Sequence, residues 1–111
     1  MNAVSEVVVL LCTVPPAQAD AVAEPLLQEQ LVACVNFVGP VRSRYRWQGA
    51  IEEGEEMLLI LKTCRQLVPA LQARLLQLHP YQVPELLELP VQGGLPGYLQ
   101  WVTDSVRTAP G

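Results

Sequence analysis

Apolar residues recur along this chain with two different periods, and each change of period marks the edge of an element. The opening segment, Val4 to Val14, is an almost unbroken run of Val, Leu and Cys that stops at Pro15-Pro16. A short β-branched run of this kind predicts a strand buried on both faces. Ala17 to Leu31 is rich in Ala, Leu, Glu and Gln, with Val22, Leu26 and Gln30 at four-residue spacing, and predicts a helix. Pro25 falls inside it, where it removes one amide hydrogen bond and crowds the Ala21 carbonyl, so a kink is expected. Val32 to Phe37 reads as a second strand, broken at Gly39-Pro40.

From Val41 the period is strictly two. Arg42, Arg44 and Arg46 share one face, and Val41, Ser43, Tyr45 and Trp47 share the other. Gln48-Gly49 predicts a two-residue turn, and the chain returns as a strand from Ala50 to Lys62. Counting outward from that turn sets Trp47 opposite Ala50, Arg44 opposite Glu53 and Arg42 opposite Glu55. Opposite charges then face each other across the ladder, and a bulge, for which Gly54 is the candidate, would shift the later pairs. Met57 to Leu61 is apolar at every position, which places that end of the hairpin in the middle of a sheet.

Beyond Thr63, Leu67, Leu71, Leu75 and Leu78 form a helical stripe with Pro69 in the first turn, and His79-Pro80 ends it. Leu86 to Val91 reads as a short edge strand, because Pro90 cannot donate to a ladder. Gly93-Gly94 leads into a last amphipathic helix, Pro96 to Val106, and the tail from Arg107 to Gly111 is expected to fray. The order is β-α-β-β-α-β with a terminal helix: an α+β, ferredoxin-like chain with a long β2-β3 hairpin. Right-handed crossovers set the first strand between the third and fourth and leave two open edges.

Composition narrows the function classes. At 111 residues the chain is one domain, residues 1–111. Half the residues are hydrophobic and 16% are charged, too apolar for disorder and sparse cover for a small monomer. A net charge of −4 argues against nucleic acid. No apolar run is long enough for a membrane span. Val7 to Val14 with Ala17-Gln18-Ala19 imitates a signal peptide, but Glu6 stands where a basic flank belongs. Cys12, Cys34 and Cys64 are odd in number and widely spaced, which favours reduced thiols and a cytoplasmic protein.

Several segments, taken in order, carry a resemblance. Val8-Val9-Leu10-Leu11-Cys12-Thr13, LVACVN at 31–36, YRWQG at 45–49, Glu56, Leu61-Lys62-Thr63, HPYQVPE at 79–85 and Tyr98-Leu99-Gln100-Trp101 together resemble the CutA divalent-cation-tolerance family. The resemblance implies a homotrimer whose long hairpins pair between subunits, association with copper or other divalent metals, and no enzymatic activity. The trimer is in turn similar to nitrogen-regulatory signalling trimers that bind small effectors between subunits. Two departures stand out. Pro25 interrupts a helix that is usually unbroken, and Leu78 stands where some bacterial members carry a second histidine.

The family's copper ligands map onto Cys12 and His79. The fold order supports their proximity, since antiparallel pairing brings the end of the first strand near the start of the fourth. A thiolate with an imidazole suits copper, with a third ligand from Cys34, a neighbouring subunit or water. The competing reading makes Cys12 a small buried hydrophobe and His79 a helix-end residue meeting a carbonyl. Cys64 is expected to be inert. A second candidate is a cleft of Tyr45, Trp47, Glu56, Lys62, Tyr81 and Glu85, which combines aromatics with paired charges. Trp47 fits subunit packing better, whereas Lys62 must find Glu56, Glu85 or solvent. Such a cleft also suits a trimeric sensor of a small organic anion. With one histidine, no nucleophile elbow and no phosphate loop, an enzyme is not expected.

Overall fold

The computed structural model describes residues 6–108, so the start of the expected first strand at Val4 and the end of the tail lie outside the described residues. Four strands and three α-helices follow one another as β1 (Val7–Val14), α1 (Ala19–Gln28), β2 (Cys34–Trp47), β3 (Ala50–Cys64), α2 (Val68–Leu78), β4 (Leu87–Pro90) and α3 (Pro96–Ser105). A single 3-10 turn precedes each of the first two helices, at Pro16–Gln18 and Arg65–Leu67. The sheet order is β2-β3-β1-β4 with every neighbouring pair antiparallel, the arrangement the element order predicts. Among the described residues no helix is long and apolar enough to cross a membrane.

One face of the sheet carries α1 and α2. Val8, Leu10, Cys12 and Val14 of β1 alternate onto this face and meet Leu59 and Leu61 of β3, Val22 and Leu26 of α1, and Leu71 and Leu75 of α2. Each fully buried Leu or Val there contributes roughly 1.5–3 kcal/mol of transfer free energy. The helix predicted over 17–31 is shorter. It runs on past Pro25 but stops at Gln28, because Gln30 adopts a left-handed φ of 58°. The Gln30 amide then donates to the Leu27 carbonyl and the Leu31 amide to the Leu26 carbonyl, both at 3.0 Å. That is a Schellman closure, and it turns Leu31 into the core.

The second strand departs from expectation. Gly39-Pro40 does not end it; β2 runs on for 14 residues through an irregularity in the register between Val38 and Val41. The extra residue sits here and not at Gly54. Gly39 has φ +140°, and a Cβ on it would lie 2.8 Å from the Val41 nitrogen, whereas a Cβ at Gly54 would meet only the Tyr45 hydroxyl at 3.9 Å. A bulge needs the residue that tolerates positive φ and close backbone, and only Gly39 is asked to do both. Beyond it the predicted register holds, with Trp47 opposite Ala50, Arg44 opposite Glu53 and Arg42 opposite Glu55. Positive φ at both Gln48 (51°) and Gly49 (82°) makes the turn type I′.

Because β1 stops pairing with β3 at Met57, the stretch from Val41 to Glu56 is a two-stranded ribbon standing clear of the sheet. It stretches the molecule to 53 Å along its longest axis, against 26 and 23 Å across. The other sheet face is largely bare. Alternation puts Val38, Leu87 and Leu89 on it, all exposed. Only α3 covers one end, where Val102 is buried, Thr103 meets the Cys64 thiol, and Tyr98 lies under the Lys62 ammonium.

Candidate functional site: a cleft beneath the ribbon

The segment after α2 cannot continue a helix. His79 turns to an extended backbone before Pro80, and the chain crosses under the ribbon on its way to β4. A cleft of about 950 Å3 opens between them, walled by Tyr45, Trp47 and Glu52 of the ribbon and by Tyr81, Val83 and Glu85 of the crossing segment. Glu56 and Thr13 close its floor. The Tyr81 hydroxyl donates to Glu56 Oε2 at 2.7 Å and so latches the two walls together. Glu56 is only 7% exposed, a carboxylate held in place by a partner. Burial, then the hydrogen bond to Glu56, push the Tyr81 phenol well above its ordinary range, so it remains a donor. Across the floor the Thr13 hydroxyl reaches Glu85 Oε1 at 3.5 Å.

The charge balance within this cleft is uneven. Arg42 and Arg44 contribute to its rim, yet their guanidinium groups lie 3.6 and 3.2 Å from the same Glu53 carboxylate. Arg42 thus leaves its directly opposite Glu55 for a diagonal partner. Glu52, Glu56 and Glu85 remain without a basic side chain paired to them among the described residues.

Cys12 and His79 meet at one atom. The Thr13 carbonyl accepts from His79 Nε2 at 2.8 Å and lies 3.8 Å from the Cys12 sulfur. The Tyr81 amide donates to His79 Nδ1 at 3.1 Å, which fixes the proton on Nε2. Both imidazole nitrogens therefore have backbone partners. The Cys12 thiol is fully buried, and burial, with Glu85 and Glu56 adding to it, raises its pKa from 9.0 to about 12. Cys34 is elsewhere: it pairs with Lys62 at the far end of the hairpin, on the bare face. Among the described residues, no three His, Cys, Asp or Glu side chains gather in a group that could hold a metal ion.

Five of the six residues predicted for the cleft line it: Tyr45, Trp47, Glu56, Tyr81 and Glu85. Lys62 does not. It shares the face of Glu56, as alternation requires, but lies six residues along β3, roughly 20 Å away at ~3.3 Å per residue. Thr13 and Glu52 also line the cleft. Glu52 was within reach of the turn count, which sets it opposite Tyr45. Thr13 carries no such signal, because its role depends on where the crossing segment passes.

Residues 8–105 match the family model described as CutA1 divalent ion tolerance protein. This chain belongs to the CutA1 family. The divalent-cation tolerance protein CutA of Thermus thermophilus is 44% identical over 98 residues, covering 87% of this chain and 95% of that protein. The solved structure of CutA1 from Oryza sativa superposes with a TM-score of 0.92 at 36% identity, over 96% of this chain and all of that one. A Nostoc protein described as PII-like CutA, in apo form, gives a TM-score of 0.86 at 32% identity, over 90% and 97% of the two chains. Membership places the chain among proteins named for divalent-cation tolerance, and those names indicate no catalytic activity.

Proposed function

We propose that this CutA1 protein is a non-enzymatic, cytoplasmic homotrimer that acts in divalent-cation tolerance by binding cations in the cleft beneath its ribbon. The observation that carries this reading is the charge balance of the cleft: Glu52, Glu56 and Glu85 line it while its two arginines are held by Glu53. Carboxylate oxygens suit divalent cations, and because these three do not gather into one coordinating group within the chain, water and a neighbouring subunit must supply most of the ligands. An organic anion would face those same carboxylates, so the effector-sensor alternative has less support. Self-association is favoured by the bare apolar sheet face and by the ribbon, since a lone two-stranded ribbon is barely stable in water. Neither nucleic acid nor membrane is a partner in this reading.

Copper contact at Cys12 and His79 belongs to the same corner, because Glu56 and Glu85 both act on the Cys12 thiol. It is weak. Binding must displace a proton from a thiol raised to about 12 and break the backbone hydrogen bonds of the imidazole. Since the thiolate is the ligand form, apparent Cu(I) affinity rises with pH, by about tenfold per unit below that value. The test is Cu(I) loading against a competing chelator, at several pH values, for wild type, Cys12→Ser and His79→Ala. Cys34→Ser and Cys64→Ser control for generic thiol capture, and Glu56→Gln with Cu(II) probes the carboxylates. Specific loss in the first two variants supports the copper corner. Equal small losses in all four Cys and His variants reduce it to thiol chemistry, and unchanged Cu(II) binding in Glu56→Gln overturns the cleft.

A further inference from the structure

Lys62 is the only lysine of the chain, and it emerges from the middle of the sheet on the bare apolar face. Among the described residues its ammonium has no carboxylate partner; it lies over the face of Tyr98, 5.7 Å from the ring centroid. A lysine beside Ile60 and Leu89 on a surface that apolar contact would cover must find an anion, or the covering carries a desolvation penalty of several kcal/mol. The same face of β3 ends, six residues away, in the opposite situation. There Glu52, Glu56 and Glu85 line the cleft together with the aromatic side chains of Tyr45, Trp47 and Tyr81. Carboxylates flanked by aromatic faces make a receptor for an ammonium group. The strand spacing keeps a chain's own Lys62 out of its own cleft, because a lysine side chain spans far less than the roughly 20 Å between them.

We infer that Lys62 of one copy enters the cleft of the next and pairs with Glu56 and Glu85 there, so that each site is complete only in the assembly. This inference rests on the homotrimer reading; it needs no bound metal, and a cation entering the cleft has to displace Lys62 from the same carboxylates. The two surfaces are different from each other and complementary, one cationic and one anionic. A contact between unlike surfaces used head to tail is heterologous and closes as a ring in a trimer, whereas a two-fold dimer admits it only by reciprocal exchange of both lysines across one interface. It also assigns Lys62 a role: it sets the order of copies around the ring and supplies a fixed positive charge against which any entering cation competes.

A single lysine makes the test clean. Equal amounts of unlabelled and 15N-labelled protein are unfolded together, refolded together and treated with a carbodiimide, which joins amines to carboxylates in direct contact. Mass spectrometry should find Lys62 joined to Glu56, Glu85 or Glu52, with half of the joined peptides pairing one light and one heavy segment. Joined peptides of uniform isotope only, or a Lys62 that stays unmodified in an assembled protein, overturn the inference. Lys62→Glu should weaken assembly at least tenfold by light scattering, and adding Glu85→Lys should restore part of it. A failure to restore counts against the pairing even if Lys62→Glu alone disrupts assembly. Loss of metal uptake leaves the joined peptides unaffected, whereas a monomeric wild type sinks both this inference and the homotrimer.

Discussion

The two halves of the β2-β3 hairpin are built from the same strands and have opposite surroundings. Near the sheet, Met57–Cys64 lies between β2 and β1, and Leu59 and Leu61 are fully buried under α1 and α2. Past Gly39 the same strands run on with no third strand beside them and only the crossing segment at Tyr81 against their base, and Ile51 is 65% exposed. Hydrogen bonding is continuous across the boundary, so the difference is one of packing alone. The inner half holds the fold, and the outer half carries the cleft and its aromatics. Stability and function are thus separated along single strands, with the bulge at the border.

That separation can be broken by substitution. Leu61→Ala should lower unfolding free energy by about 2–5 kcal/mol in chemical denaturation, since it opens a cavity in the core. Ile51→Ala in the outer half should leave the same measurement nearly unmoved. Comparable losses for the two would erase the boundary. Trp47→Ala comes next. It should weaken assembly by on the order of 2–4 kcal/mol, read as dissociation on dilution, while the far-ultraviolet spectrum stays that of a folded chain. An unchanged dissociation midpoint would mean that the ribbon's aromatics belong to the cleft alone. The smallest effect is expected at Glu53→Gln, which releases both Arg42 and Arg44. These groups are at least half exposed, so the melting temperature should respond to only about 0–1 kcal/mol. The informative readout is the cleft, where two freed guanidinium groups should weaken Cu(II) binding.

Period and turn chemistry carried most of the fold into view. The type I′ turn at Gln48-Gly49 pins the register of the whole hairpin, and one count from it predicts every pair from Trp47 to Arg42 correctly. The bulge was harder to place, because Gly39 and Gly54 are equivalent as letters. They differ only in backbone conformation and in the closeness of Val41, neither of which a local pattern contains. Lys62 shows a related limit. Alternation states correctly that it shares a face with Glu56, yet parity carries no information about distance along the strand. Cys12 and His79 became neighbours through strand order, but the exchange of hydrogen bonds around Thr13 depends on a loop path that no period encodes. One of the two ion pairs slipped for the same kind of reason: Arg44 keeps Glu53, but the long side chain of Arg42 reaches that carboxylate too and leaves Glu55.

The exposed ribbon also has a consequence in time. In the proposed homotrimer the outer hairpin finds its remaining cover on other copies, and the last step of folding would then be an encounter whose rate depends on concentration. Until that encounter, the open edge of β2 and the bare sheet face are exposed together, the combination most prone to wrong partners. Under that proposal the vulnerable moment of this protein is set by how many copies are made at once and how near one another they are made.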